Sequence, residues 1–261
     1  MSDNLTSVKQ SKLTVSSNNV DRRGFLSSVS AIAAVTVAPG VALVGFAEAR
    51  SVDKEPVTDA RRWGMLIDSS RCVRGCDACV SACGKENGLA SYSRPQTDVQ
   101  WVRKVTVRDT RTRRITSLPV MCQHCQDPPC VDVCPTGASF RRTDGIVLVD
   151  RHICIGCRYC MMACPYKARS FAHESANNQK SHAPRGKGTV EACTFCVHRV
   201  DENSDRTPAC VEACAAQGHG AMVFGDLNDP NSQLSKDLDK YSSTELRGDM
   251  GLNPGVRYRN I

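Results

Sequence analysis

Aromatic residues are scarce in this chain: Phe, Trp and Tyr together make up 5% of its 261 residues. Rings carry much of the burial in an ordinary core, so the core here is modest and something besides burial must hold the chain. The fingerprints of much small-molecule chemistry are missing too. No Ser/His/Asp arrangement, phosphate-binding loop or glycine-rich dinucleotide turn stands out. No catalytic residue is therefore expected, and the chain is read as one that catalyses nothing alone. What it has in abundance is cysteine, sixteen in all. So many thiols fit disulfides, zinc or iron–sulfur clusters, and spacing decides among them.

The formal charge is +7, of which +6 falls on residues 50–261. Four thiolate-bound cubane clusters would each add about −2 and bring the loaded protein near neutrality. The basicity is thus weak evidence for an acidic partner, and no nucleic acid is expected.

Residues 1–49 read as an address. Arg22 and Arg23 precede Gly24, Phe25 and Leu26, and a mildly apolar run broken by Pro39 and Gly40 continues to Phe46. It closes on Ala47-Glu48-Ala49, an A-x-A cleavage pattern. This is similar to a twin-arginine export signal, which implies folding before export to the periplasm. An uncleaved membrane anchor is the alternative, since the run is about long enough to span. Export after folding suits a cysteine-rich protein, whose thiols would otherwise meet an oxidising compartment bare.

The cysteines fall into four groups of four, with none left over: Cys72, Cys76, Cys79, Cys83; Cys122, Cys125, Cys130, Cys134; Cys154, Cys157, Cys160, Cys164; and Cys193, Cys196, Cys210, Cys214. The third group spells C-x2-C-x2-C-x3-C-P, the run that holds a [4Fe–4S] cubane. A tight loop wraps three thiolates around one cubane. The backbone then turns helical and rises about 1.5 Å per residue, which carries the fourth cysteine out of reach and toward a second cluster. Each group must lend its last cysteine to a partner group. The second and third groups both end in Cys-Pro and are joined by the strand-like GIVLVD at 145–150, so they pair. One cluster then takes Cys122, Cys125, Cys130 and Cys164, the other Cys154, Cys157, Cys160 and Cys134. The outer groups pair likewise: Cys72, Cys76, Cys79 and Cys214 for one cluster, Cys193, Cys196, Cys210 and Cys83 for the other. Zinc is the rival, since paired CxxC units also build tetrahedral all-cysteine sites. It fits the outer groups far better than the third.

With all sixteen placed, the chain resembles the four-cluster ferredoxin-type electron-transfer subunits of dimethyl sulfoxide, polysulfide, tetrathionate and formate-dependent nitrite reduction systems. The likeness rests on RWGMLIDSSRC (62–72), PVMCQHCQDPPCVDVCPTGA (119–138), DGIVLVDRHICIGCRYCMMACPY (144–166), VEACTFCVHRV with TPACVEAC (190–214) and LNPGVRY (252–258). Within the family it is most similar to the exported O-type subunits of DsrMKJOP complexes, linked to sulfur metabolism, through CPYKARSF (164–171) and RGKGTVEACTFCVHRV (185–200). The resemblance implies four [4Fe–4S] clusters and a non-catalytic electron-transfer role. It also implies a polytopic quinone-interacting membrane subunit of the NrfD type as partner, with a multihaem cytochrome or a molybdopterin catalytic subunit as the other. A subunit of a molybdopterin oxidoreductase and a structural zinc protein of the envelope are the alternatives. The chain departs from the pattern in its outer groups: three residues, not two, separate Cys72 from Cys76, the first and fourth groups end in Cys83-Gly84 and Cys214-Ala215 without proline, and thirteen residues separate Cys196 from Cys210.

The expected fold is α+β, with two ferredoxin-like dicluster modules of short hairpins and short helices. Residues 50–118 and 185–225 would form the outer module, 119–184 the central one, and 226–261 a tail wrapping a partner. WVRKVTV and ITSLPV read as a hairpin around RDTRTRR. Its arginines read as a solvated edge or as a dock for an acidic partner. Residues 169–193 read as a loop. His124, inside a CxxC pair, is either a hydrogen-bonding neighbour of the metal group or a solvated bystander. Lys167 and Arg169 either sit over a cluster or lie in solvent. His152, His173, His182, His198 and His219 show no metal-ligand spacing.

Overall fold

The computed structural model describes residues 36–38, 41–42, 57–202 and 207–261. The paired arginines and the A-x-A pattern lie outside the described residues. Within the first 53 residues, β1 (Thr36–Ala38) pairs antiparallel with β2 (Val41–Ala42). No described helix is long and apolar enough to cross a membrane.

Residues 54–261 form the second unit, built from short pieces of both kinds, the mixed α+β architecture expected. Its largest sheet has three strands. Strand β3 (Trp63–Asp68) lies at the centre and is buried along its whole length. Its sequence accordingly runs WGMLI without polar alternation, as a strand covered on both faces does. β10 (Met222–Asp226) pairs antiparallel on one edge, Phe224 opposite Met65. β11 (Val256–Arg259) pairs parallel on the other, Val256 opposite Met65 and Tyr258 opposite Ile67.

Three antiparallel hairpins complete the strands. β4 (Val102–Arg108) and β5 (Ile115–Met121) form the expected hairpin, with buried ends at Val102 and Met121 and an exposed tip. β6 (Ser139–Arg141) pairs with β7 (Val147–Val149), which lies inside GIVLVD. β8 (Arg169–Phe171) pairs with β9 (Val190–Ala192). The expected loop at 169–193 is therefore zipped at both ends. The Asn-, Pro- and Gly-rich punctuation that marks a loop begins only beyond Phe171.

Helices are α1 (Ala78–Asn87), α2 (Pro129–Asp132), α3 (Tyr159–Ala163), α4 (Val197–Glu202), α5 (Ala209–Ala216) and α6 (Gln233–Lys240). α1 packs on α5, and α2 on α3. α1 stops at Gly88, whose φ of 65° is left-handed. A side chain there would meet the Asn178 carbonyl oxygen at 2.0 Å.

The core joins Trp63, Met65, Ile67, Trp101, Phe195 and Tyr258 to most of the cysteines. Among its buried carboxylates, Glu191 is satisfied by Arg185 Nε at 2.9 Å and by Trp101 Nε1 at 3.1 Å. The tail also contributes to this core. Leu234 on α6, and Val256 and Tyr258 on β11, are wholly buried in their own chain. α6 is capped by the Ser232 hydroxyl, which accepts the Ser235 N–H at 3.1 Å. These apolar anchors are few: Leu234 stands alone as a buried residue of α6, and Val256 and Tyr258 alternate with arginines over only four residues. Only the edge of β3 makes them a core.

Candidate metal centres

Four short helices place eight of the cysteines, two to each. On α1, Cys79 and Cys83 stand one turn apart; on α5, Cys210 and Cys214 do the same. α2 carries Cys130, with Cys134 just beyond its end, and α3 carries Cys160, with Cys164 as its C-terminal cap. Because α1 packs on α5 and α2 on α3, thiols of different groups are brought face to face.

Cys72, Cys76, Cys79 and Cys214 line one pocket, with about 330 Å³ of atom-free space. Cys122, Cys125, Cys130 and Cys164 line a second, with about 300 Å³. Cys160 lies within electrostatic reach of Cys154 and Cys134, and Cys157 sits exposed on the loop between Cys154 and Cys160. Cys83 is within reach of Cys193 and Cys196, and Cys210 of all three. We refer to these as the first, second, third and fourth quartets.

The surroundings suit anionic sulfur. Backbone N–H groups donate to Sγ: Ser139 to Cys134 and Ala221 to Cys214 at 3.3 Å, Val190 to Cys154 and Phe195 to Cys193 at 3.5 Å. Bare thiolates, however, are not stable here. Burial pushes Cys79 up to about 11 and both Cys122 and Cys125 up to about 12, and it raises Cys193 further still. Only a bound cation makes thiolates stable in such a place.

The long loop between Cys72 and Cys76 is tied from outside. Lys104 on β4 donates its Nζ to the carbonyl oxygens of Val73 and Cys76. Nothing in the local sequence marks Lys104 for this role, because the hairpin pairing alone delivers it. The remaining arginines of the hairpin divide: Arg103 donates to the Tyr166 carbonyl at 2.8 Å and Arg114 to that of Asn260 at 3.0 Å.

His124 is buried, not solvated. Its Nδ1 accepts the Val147 N–H at 3.0 Å, so the ring proton sits on Nε2. Burial and the nearby Arg169 cation hold its pKa down at about 3. The ring stacks on Phe195 at 3.7 Å. His124 lies between Cys122 and Cys125, and Phe195 between Cys193 and Cys196, so this stack joins the second and fourth quartets. Arg169 is buried against Cys130, whereas Lys167 is exposed and donates to the Met162 carbonyl at 3.3 Å. His219 lines the first pocket. His182 and His198 lie with Glu86 inside 4.8 Å of one another, but their rings are stacked 3.6 Å apart. Near-parallel rings cannot both aim an in-plane lone pair at one ion, so this trio is a stacked pair and not a metal site.

Two family models, each described as a 4Fe-4S dicluster domain, match residues 71–138 and 113–227. The chain is 42% identical to the Hdr-like menaquinol oxidoreductase iron-sulfur subunit 1 of Archaeoglobus fulgidus over 232 residues, 79% of this chain and 86% of that one. The chain belongs to the 4Fe–4S dicluster iron–sulfur subunits. A tetrathionate reductase subunit of Salmonella typhimurium is 36% identical over 92% of this chain and 88% of that protein. Protein NrfC of Escherichia coli is 36% identical over 89% and 92% respectively. The cofactors of this iron–sulfur subunit are four [4Fe–4S] clusters, one for every four of its sixteen cysteines, and the zinc reading falls away.

Proposed function

We propose that each quartet ligates one [4Fe–4S] cluster and that the four form a single path for electrons in the order first, fourth, second, third. The observation that carries the order is the sharing of helices. Cys79 and Cys83 lie one turn apart on α1, linking first to fourth; Cys160 and Cys164 bound α3, linking third to second. The gap between the inner quartets is bridged where Cys193 comes within reach of Cys122 and Phe195 stacks on His124. Bound clusters each pass one electron at a time. The chain's part is to hold them in sequence, exclude water from the inner two and expose the outer two. All eight inner cysteines are buried, while Cys72, Cys76, Cys134 and Cys154 are half-buried and Cys157 is exposed. Electrons therefore enter and leave at the first and third quartets.

The modules follow the same division: residues 50–118 with 185–225 around the first and fourth quartets, and 119–184 around the second and third. The protein works as the iron–sulfur subunit of a membrane-associated oxidoreductase, between a polytopic quinone-interacting subunit and a second redox partner. The name of the Archaeoglobus relative, a menaquinol oxidoreductase subunit, supports the quinone-linked partner, and the reading as a sulfur-metabolism complex of the DsrMKJOP type rests on CPYKARSF (164–171) and RGKGTVEACTFCVHRV (185–200). Folding in the cytoplasm and twin-arginine export to the periplasm fit Arg22-Arg23 and the Ala47-Glu48-Ala49 pattern. The second reading, a subunit of a molybdopterin oxidoreductase, is favoured by the likeness to the tetrathionate reductase subunit.

Anaerobic affinity purification from membranes tests the proposal. Four irons and four sulfides per quartet are expected, with a polytopic subunit and a multihaem cytochrome co-purifying. A molybdenum subunit in place of the cytochrome selects the second reading. Fewer than four clusters, or no co-purifying subunit, overturns the proposal.

A further inference from the structure

Three other deeply placed arginines of the described residues find carboxylates. Arg185 pairs with Glu191, Arg199 with Glu212, and Arg142 with Asp144 and Asp201. Arg169 does not. It is 5% exposed, and among the described residues its partners are Cys130 Sγ at 3.0 Å and Ser139 Oγ at 2.8 Å, both bound by Nη2. Its Nε and Nη1 are buried with no hydrogen-bond partner. The guanidinium faces Cys122 and Cys130 of the second quartet and Cys160 of the third.

A guanidinium stays charged at any working pH. Buried without an anion it is strongly destabilising, so negative charge must lie beside it. Among the described residues no carboxylate pairs with it. The polypeptide offers thiols of two quartets, which become anionic when they hold metal.

Resting on the reading that these quartets hold clusters, we propose that Arg169 sets the reduction potentials of the second and third clusters, its cation raising both. One electron added to a cluster adds one negative charge and breaks no bond. The electron comes from the redox partner, or from dithionite in a titration. The cation favours the more negative state, so it draws the reduction equilibrium of both neighbours the same way. Both become easier to reduce. Exposed Lys167, two residues earlier, is screened by water and has little such effect.

The test is a potentiometric titration of the purified, cluster-loaded protein followed by electron paramagnetic resonance. Arg169→Gln is expected to lower the reduced-to-oxidised ratio of two of the four clusters about tenfold at a fixed potential, a fall of about 59 mV for a one-electron couple. The other two clusters, and all four in Lys167→Gln, should not move. Arg169→Lys keeps the charge and should keep the potentials. Four loaded clusters with unchanged potentials in Arg169→Gln overturn this inference and leave the proposed function standing. Fewer than four clusters in the wild-type protein overturns the function itself. Should Arg169→Gln fail to retain its second and third clusters, Arg169→Lys decides: retained clusters at wild-type potentials support the charge, and lost clusters or shifted potentials refute it.

Discussion

Tyr258 makes the sharpest test of the C-terminal segment, because it ties the last strand to the interior at a single wholly buried ring. Its hydroxyl donates to the Pro119 carbonyl at 3.1 Å and accepts from Gln123 Nε2 at 3.2 Å. Gln123 stands directly after Cys122, so the contact reaches the second quartet. Truncating a buried aromatic to alanine costs about 3–5 kcal/mol. Tyr258→Phe keeps the ring and loses only the hydroxyl, about 1 kcal/mol, rising toward about 3 if the Pro119 carbonyl stays dry and unpaired. Gln123 Nε2 is not orphaned, since it also donates to the Met121 carbonyl at 2.8 Å. Loss of clusters makes unfolding irreversible, so stability is read as a rate. With the contact broken in the transition state, about 4 kcal/mol corresponds to roughly a thousandfold faster unfolding, and about 1 kcal/mol to roughly fivefold. The assay is anaerobic bleaching of cluster absorption in guanidinium chloride. Bleaching of Tyr258→Ala at the wild-type rate would refute the conclusion that the tail is part of the core.

Four further outcomes are expected. Gly156 has φ of 70°, and a Cβ there would meet the Gly188 carbonyl oxygen at 2.1 Å; Gly156→Ala should therefore cost the third cluster, counted as four irons fewer with the other clusters intact. Lys104→Met removes the tie on the Cys72–Cys76 loop and should make the first cluster the earliest lost on exposure to air; loss in the wild-type order would count against that role. Stripping iron with a chelator should abolish most far-ultraviolet circular dichroism, because metal binding supplies folding free energy to a chain with few aromatics; a native-like spectrum without iron would show that the core suffices. Burial alone would raise the Asp68 carboxyl, but hydrogen bonds from Ser70 and Asn260, with Arg259 nearby, outweigh it and hold the group below its ordinary value. The stabilisation is thus complete above about pH 4 and fades as pH falls through the lowered value. Wild-type protein should bleach more slowly than Asp68→Asn near neutrality, and the ratio should approach one in acid; a constant ratio would remove the carboxylate's role.

Cysteine spacing made most of the centres legible before any coordinates. A C-x2-C-x2-C-x3-C-P run constrains its own geometry through local chain stiffness and helical rise, so it announces itself in one stretch. The hairpin around RDTRTRR was legible for the same reason, since alternation and turn residues are local signals. Other features were beyond such reading because their partners are distant in the chain. Lys104 caps a loop some thirty positions earlier through a side chain with no motif around it. Arg169 could be named as a candidate, but only burial against Cys130 separates it from its solvated neighbour Lys167.

What the sequence determined by itself was the number of centres, the kind of ligand and the α+β class, all set by spacings of a few residues. The tertiary structure decided which thiols face one another, which quartets lie inside and which reach the surface. It also decided that the tail belongs to the core. The physical reason is the same in each case: burial and charge depend on what packs against a residue, and here β3 gathers its neighbours from opposite ends of the chain.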